Sequence, residues 1–331
     1  MENYLFGSAR VSALTNSLIG RDQLDRLLNA PTAARCAELL AEYGIPVARD
    51  PETGAFLREK TLLDLLRKSF REVGEATENA PFSRILRWQY DCNNIKAAIK
   101  CFRRGIDPGG MLFDFGNFDT DTVLNAVRLN DFSTLEEPFA GAAAEATGAF
   151  AKTGNPQWVD LILDKACFAA MLRDARLSRN EFVTDLVVRK IDLTNLLICI
   201  RLMRMKSGEA GRLLLADAVI PGGTLDGEFL AQAYAGSEEQ LWKKLYYSDL
   251  EGFAARIKDA GSPLTAVERA ADDFWMTLVQ RAKLIPYGVE PMTAYLIAVE
   301  NEVRNLRIIL AGLDAGLPAG TIRERVRMSY V

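Results

Sequence analysis

The chain contains no histidine among its 331 residues. Without histidine there is no Ser-His-Asp triad, no HExxH zinc site and no imidazole proton shuttle. Enzymes also work with carboxylates and lysines alone, so this absence disfavours an enzyme without excluding one.

Long apolar runs and paired cysteines are missing as well. No segment approaches the ~20 consecutive apolar residues that span a bilayer, and the first twenty residues lack the basic region that opens a signal peptide. The cysteines form no CxxC pair and no zinc-like spacing. These absences predict a cytoplasmic protein with reduced, structural thiols at Cys36, Cys92, Cys101, Cys167 and Cys199.

Neither sign of charge dominates, since the chain has 40 basic and 44 acidic side chains. A nucleic-acid-binding protein normally has a basic surplus or a basic face, so no nucleic-acid partner is predicted. The pairs Gly109-Gly110 and Gly222-Gly223 lack the Lys-Ser/Thr that completes a phosphate loop. We therefore expect no cofactor, no bound metal and no small-molecule substrate.

Apolar residues recur at helical spacing almost throughout the chain. Near the C-terminus they trace one stripe in steps of three and four: Leu296, Val299, Val303, Leu306 and Leu310. Strand-like alternation is scarce. The pattern predicts an all-α protein.

A short motif occurs three times, an acidic residue followed three positions later by asparagine and then by Ile or Leu. Its asparagines are 101 (195 − 94) and 110 (305 − 195) positions apart, and a proline turn follows each copy, at Pro108, Pro221 and Pro318. Such turns are expected to end helices. The repetition predicts three similar helical domains, 1–115, 116–224 and 225–331. The motif residues are Asp91 and Asn94, Asp192 and Asn195, and Glu302 and Asn305.

Two interpretations of these acid–asparagine pairs stay open. The segment from Ile191 to Met203 is apolar apart from a few polar positions, which predicts a helix buried on most sides. Buried acids and amides must be hydrogen-bonded, because each unpaired group costs about 1–3 kcal/mol. The pairs either tie neighbouring helices together or line an axial surface that receives a partner.

One acidic motif formally matches the nucleophile loop of haloacid-dehalogenase-type phosphatases, with Asp119 and Asp121 as its carboxylates. That motif requires a hydrophobic strand before the first aspartate, whereas Gly116 and Asn117 indicate a loop here. Asp119 or Thr120 is more simply interpreted as the N-cap of a helix.

A second acidic pair, Asp272-Asp273, is reminiscent of the magnesium-binding helix of prenyl-transferring enzymes. The further acidic partner of that motif is absent, since an apolar stretch from Phe274 to Leu278 follows. A magnesium-dependent helical phosphatase or prenyl transferase remains the alternative from the enzyme class. A helical-repeat adaptor is the alternative from the binding-module class.

The C-terminal forty-five residues carry a family resemblance. It lies in the segments 287–291, 294–296, 300–310, 316–318 and 322–325 and in the final Tyr330-Val331, with Ala9-Arg10-Val11 agreeing near the start. Together they look like the C subunit of V-type and A-type ATPases, a family that includes the d subunit of the eukaryotic enzyme.

The resemblance implies three helical domains arranged as a funnel with pseudo-threefold symmetry. It further implies a non-catalytic protein on the cytoplasmic face of the membrane, which joins the central shaft of subunits D and F to the proteolipid rotor ring. The C-terminal arginines are expected either to contact a partner or to form pairs with Glu300, Glu302 and Glu324. They are Arg304, Arg307, Arg323, Arg325 and Arg327.

Overall fold

The structure is a computed structural model that describes residues 4–77, 80–257 and 261–331. Within these ranges all regular secondary structure is helical, apart from one isolated bridge between Arg49 and Phe56. The predicted all-α class is confirmed. None of the helices in these ranges is both long enough and apolar enough to cross a membrane.

The described chain groups into two compact units, residues 4–77 with 245–257 and 261–331, and residues 80–244. The threefold division at residues 115 and 224 stays a prediction. The helices of the first unit are α1 (Leu5–Thr15), α2 (Arg21–Leu28), α3 (Ala33–Glu42), α4 (Arg58–Ala76), α14 (Glu251–Ala254), α15 (Leu264–Val279), α16 (Val289–Asp314) and α17 (Ala319–Arg323). Those of the second unit are α5 (Pro81–Arg84), α6 (Arg87–Arg103), α7 (Thr120–Leu129), α8 (Phe139–Thr153), α9 (Gln157–Leu177), α10 (Glu181–Met205), α11 (Gly208–Ala218) and α12 (Gly227–Ala235). The helix α13 (Glu238–Tyr246) runs across the boundary at residues 244 and 245.

The core of the first unit forms where α16 packs against α4 and α1. The stripe predicted from the sequence is buried along its whole length, from Leu296 to Leu310. Each such aliphatic side chain contributes roughly 1.5–3 kcal/mol when it is removed from water. The long α16 is therefore the central element of this unit.

The core of the second unit forms around α9, which packs against α6, α8 and α10. The indole of Trp88 on α6 stacks on Phe139 and donates a hydrogen bond of 2.8 Å to Asp174 on α9. From Ile191 to Leu202, α10 is buried at most positions, as its apolar sequence predicts.

Each of the three prolines lies three to five residues after the end of a helix (108 − 103, 221 − 218, 318 − 314), as expected of helix-ending turns. Pro108 precedes a short 3₁₀ turn, Pro221 follows α11, and Pro318 directly precedes α17. The helix α6 ends at Arg103, and α10 ends where Lys206 adopts a left-handed conformation. Both ends therefore lie before the prolines.

Candidate functional site

Each of the three motif asparagines lies in a long helix and holds one peptide group of a later segment. The side chain of Asn94 donates to the carbonyl of Phe113 at 2.7 Å and accepts from its N–H at 2.8 Å. Asn195 holds Ile220 in the same way, at 2.8 and 2.9 Å. Asn305 holds Arg327, at 3.0 and 2.8 Å.

We call these three pairs of bonds the asparagine clamps. All three asparagines are buried. A primary amide matches a peptide group because it offers one donor and one acceptor side by side. Each clamp thus fixes a backbone segment, and not a neighbouring helix, to the helix that carries the asparagine.

The first two motif acids hold the residues that follow the clamped peptide. Asp91 accepts from the backbone N–H of Asn117 and of Phe118, both within 3.0 Å. Asp192 accepts from the N–H of Thr224 at 2.7 Å and of Leu225 at 3.0 Å. The hydroxyl of Thr224 adds a third bond of 2.7 Å to Asp192. These donors offset the cost of burying the two carboxylates.

A glycine lies over each of these two acids, a role that neither motif spacing nor composition indicated. A Cβ atom at Gly116 would lie 2.2 Å from an Asp91 oxygen, and one at Gly223 would lie 2.3 Å from an Asp192 oxygen. Only glycine permits so close an approach of backbone to carboxylate. The sequence does contain a detectable pattern, Gly-polar-apolar-Asp before a helix, at 116–119 and 223–226.

The prolines suggested one alignment between the first two copies of the repeat, and these contacts show a different one. The clamped peptides, the glycines and the N–H donors all match at one offset of 107 residues (220 − 113, 223 − 116). Pro108 and Pro221 are 113 residues apart (221 − 108) and therefore occupy different positions in the two segments.

The third motif acid departs from this arrangement. Glu302 accepts one backbone N–H, from Ile19 at 2.6 Å, in a segment 283 residues earlier in the chain. The backbone N–H of Met328, which follows the clamped Arg327, instead donates to Asp273 at 2.6 Å. The side chain of Asn301 adds a bond of 2.8 Å to the carbonyl of Met328.

Burial shifts two of the motif acids toward the neutral form. It raises the pKa of Asp91 to about 6, although the N–H groups of Phe118 and Asn117 oppose this shift. It raises the pKa of Glu302 to about 7, where the single N–H of Ile19 gives less compensation. Near neutral pH, the protonated form of Glu302 is therefore more populated than that of an exposed glutamate.

Four of the five C-terminal arginines form ion pairs inside the first unit. Arg304 and Arg327 both pair with Asp272, at 3.0 and 3.1 Å. Arg307 pairs at 3.1 Å with Glu59 on α4. Arg323 pairs at 2.6 Å with Asp25 on α2. Whether these arginines also contact a partner stays a prediction.

Arg325 is the exception among the five. Its side chain is exposed, and within the described residues it forms no ion pair. It is therefore the one arginine of this group whose charge can be changed without breaking an internal ion pair.

Of the acidic motifs weighed as catalytic sites, the pair Asp272-Asp273 has a structural role in the described chain. Asp272 pairs with two arginines, and Asp273 accepts the Met328 N–H and pairs with Arg269 at 3.5 Å. Asp119 is the residue before α7, as the N-cap interpretation predicts, although its side chain makes no capping hydrogen bond. In the ranges that the structure describes, no group of three or more acidic or thiol side chains is arranged to hold a metal ion.

Comparison with known proteins gives a family match over nearly the whole chain. The sequence model of a family described as ATP synthase (C/AC39) subunit matches residues 8–325. The C subunit of the A-type ATP synthase of Haloferax volcanii is 25% identical over 339 residues, which cover 96% of this chain and 95% of that protein.

Two further relatives are similar over comparable lengths. The C subunit of the V-type sodium ATPase of Enterococcus hirae is 22% identical over 318 residues, covering 95% of this chain and 94% of that protein. The C subunit of the A-type ATP synthase of Thermococcus kodakarensis is 22% identical over 338 residues, covering 98% and 90%.

Proposed function

The chain belongs to the ATP synthase (C/AC39) subunit family, and we propose that it is the non-catalytic central-stalk subunit of a rotary V/A-type ATPase. In this role it joins the shaft formed by subunits D and F to the proteolipid rotor ring on the cytoplasmic face of the membrane. The match over residues 8–325 carries the proposal, because it leaves little of the chain for an unrelated function.

The internal contacts of the chain support a mechanical role. A protein that transmits torque must not deform along its connecting segments. The asparagine clamps and the acids beside them fix such segments to long helices, at Phe113 and Asn117 in one copy and at Ile220 and Thr224 in the next. Each buried hydrogen bond resists local opening, because breaking it leaves a buried polar group without a hydrogen-bond partner.

The same contacts support the proposed threefold division into 1–115, 116–224 and 225–331. An asparagine in a long helix clamps a peptide 19, 25 or 22 residues later in the three copies. We include the pseudo-threefold funnel in the proposal, with the shaft in its cavity and the rotor ring at one end.

Lack of catalysis is the second part of the proposal. The chain has no histidine and no phosphate loop, and the acids that suggested magnesium chemistry are engaged by arginines and backbone N–H groups. The isolated protein is expected to hydrolyse neither ATP nor a simple phosphoester.

Binding of a purified D–F complex tests the proposal directly. The wild-type chain is expected to bind it in calorimetry or in a pull-down, with affinity that falls as salt increases if charged groups meet across the interface. Failure of the folded chain to bind a D–F complex from the same rotary ATPase would contradict the proposed contact with the shaft.

Arg325 and Arg323 test whether the C-terminal arginines belong to that interface or to the contact with the ring. Arg325→Glu breaks no internal ion pair, so a loss of assembly would report a partner contact. Arg323→Asp disrupts the pair with Asp25, and adding Asp25→Arg restores an internal pair with the charges exchanged. If Arg323 meets a partner, the double variant still assembles poorly; if it serves only the internal pair, assembly returns to the wild-type level.

A further inference from the structure

Glu302 attaches the segment between α1 and α2 to the central helix of the first unit. Its carboxylate accepts the N–H of Ile19 at 2.6 Å, and both Leu18 and Ile19 are buried. The corresponding acids Asp91 and Asp192 each hold two successive N–H groups of their own copy. Glu302 therefore makes a different connection, and it does so with fewer donors to compensate a negative charge.

A cavity of about 190 Å³ opens beside this contact. It lies among the end of α1, the residues after α3, one face of α4, and α16, with Glu302 in its wall. The hydroxyl of Tyr43 is buried there and has no hydrogen-bond partner in the described chain, while Ser69 and Tyr295 bond to each other at 3.2 Å. A cavity of this size, with polar side chains in part of its wall, has room for several water molecules, since one water needs roughly 10–15 Å³ of such volume. Water that enters the cavity would give Glu302 a route for proton exchange.

The charged groups around Glu302 do not neutralise it. No cation in the described residues lies within ion-pair distance of its carboxylate, and Glu72 on α4 is already paired with Arg10 at 3.2 Å. Asp64 is paired with Lys60. The titratable side chains that line this cavity with Glu302 are Tyr43, Asp64, Lys68, Glu72 and Tyr295, and Tyr330 lines a smaller pocket that Glu302 also borders. Asp64 and Glu72 are thus engaged by Lys60 and Arg10, and neither of these cations forms an ion pair with Glu302.

We propose that the contact between Glu302 and Ile19 is a pH-sensitive latch, which is closed while Glu302 carries a proton and released as Glu302 ionises. A protonated carboxyl still accepts the Ile19 N–H through its carbonyl oxygen and does not need the solvation that a carboxylate needs. On ionisation the proton passes to water in the cavity, and the charge favours conformations in which Leu18 and Ile19 move aside and admit solvent.

The size of the effect follows from proton linkage. Burial raises the pKa of Glu302 from 4.5 to about 7 in the closed form, and a hydrated carboxylate in the open form returns toward 4.5. The equilibrium constant for opening then rises on the order of 50-fold between pH 5 and pH 8. This inference does not depend on the proposed function, because it concerns one contact within the first unit.

Hydrogen exchange on the full chain tests the latch. The protection factor of the Ile19 amide, corrected for the intrinsic pH dependence of exchange, is expected to fall by tens of fold from pH 5 to pH 8, with the fall levelling off above about pH 7. The amides of Ile220 and Arg327 serve as internal references, since neutral asparagines hold them. Their protection is expected to stay nearly constant.

The variant Glu302→Gln supplies the matched control, because glutamine keeps the acceptor and cannot ionise. Its Ile19 protection is expected to be independent of pH. The proposal is overturned if wild-type Ile19 protection does not change with pH, if it changes equally in Glu302→Gln, or if the reference amides lose protection in parallel. The wild-type profile alone decides the matter if the variant does not fold.

Discussion

Replacing Asn195 by leucine removes the most deeply buried of the three clamps. Asn195 and Asn94 are fully buried, and Asn305 is nearly so, but only Asn195 holds a residue, Ile220, that is itself buried. The substitution leaves the N–H and the carbonyl of Ile220 without partners and without access to water. At about 1–3 kcal/mol for each unpaired group, the loss is roughly 2–5 kcal/mol.

Urea denaturation followed by circular dichroism measures this loss as a shift of the midpoint at constant slope. Gln232→Leu is the matched control, because it exchanges an exposed amide of the same unit for leucine and is expected to change stability by less than about 0.5 kcal/mol. Asn94→Leu and Asn305→Leu should cost less than Asn195→Leu, since water reaches Phe113 and Arg327. Equal losses at Asn195 and Gln232 would refute the reasoning about buried partners.

Two further predictions concern stability. The pKa of Glu302 is raised in the folded chain from 4.5 to about 7, so the folded state binds this proton more tightly and loses stability as pH rises from about 4.5 to 7. Glu302→Gln should therefore have about the wild-type melting temperature near pH 5 and a higher one at pH 8, where its free energy of unfolding should be larger by roughly 1–3 kcal/mol. Identical melting temperatures of the two proteins at both pH values would contradict this. Gly223→Ala places a methyl group 2.3 Å from Asp192 and should destabilise the chain by about 1–3 kcal/mol, whereas Gly148→Ala, in open space on α8, should leave it unchanged or more stable. Equal melting temperatures for these two variants would show that the close approach at Gly223 is not required.

Local periodicity was sufficient to predict the class of the fold and the buried face of α16. Steps of three and four residues place Leu296 and Leu310 on one side of any helix, whatever else the chain does. The apolar run through Ile191 predicted a buried α10 for the same reason. These features depend on residues close together in the chain.

The partners of the polar residues depend on tertiary structure and could not be predicted in this way. A buried asparagine requires a donor and an acceptor, but its sequence context does not say which peptide supplies them. The N–H of Ile19 donates to Glu302, which lies 283 residues away in the sequence, and Arg327 donates to Asp272, which lies 55 residues away. The proline turns misled the alignment because Pro-Gly pairs occur in many loops, whereas the close approach of Gly116 and Gly223 to carboxylates is visible only in the structure.

ATP-driven ion transport by the reconstituted rotary complex, measured with and without this chain, tests the central claim most directly. A protein that joins the shaft to the ring transmits rotation and supplies no chemistry. Complexes that lack it are therefore expected to continue hydrolysing ATP in the catalytic head while ion transport into vesicles stops, and adding the purified chain should restore transport. Normal ion transport without this chain would contradict the account.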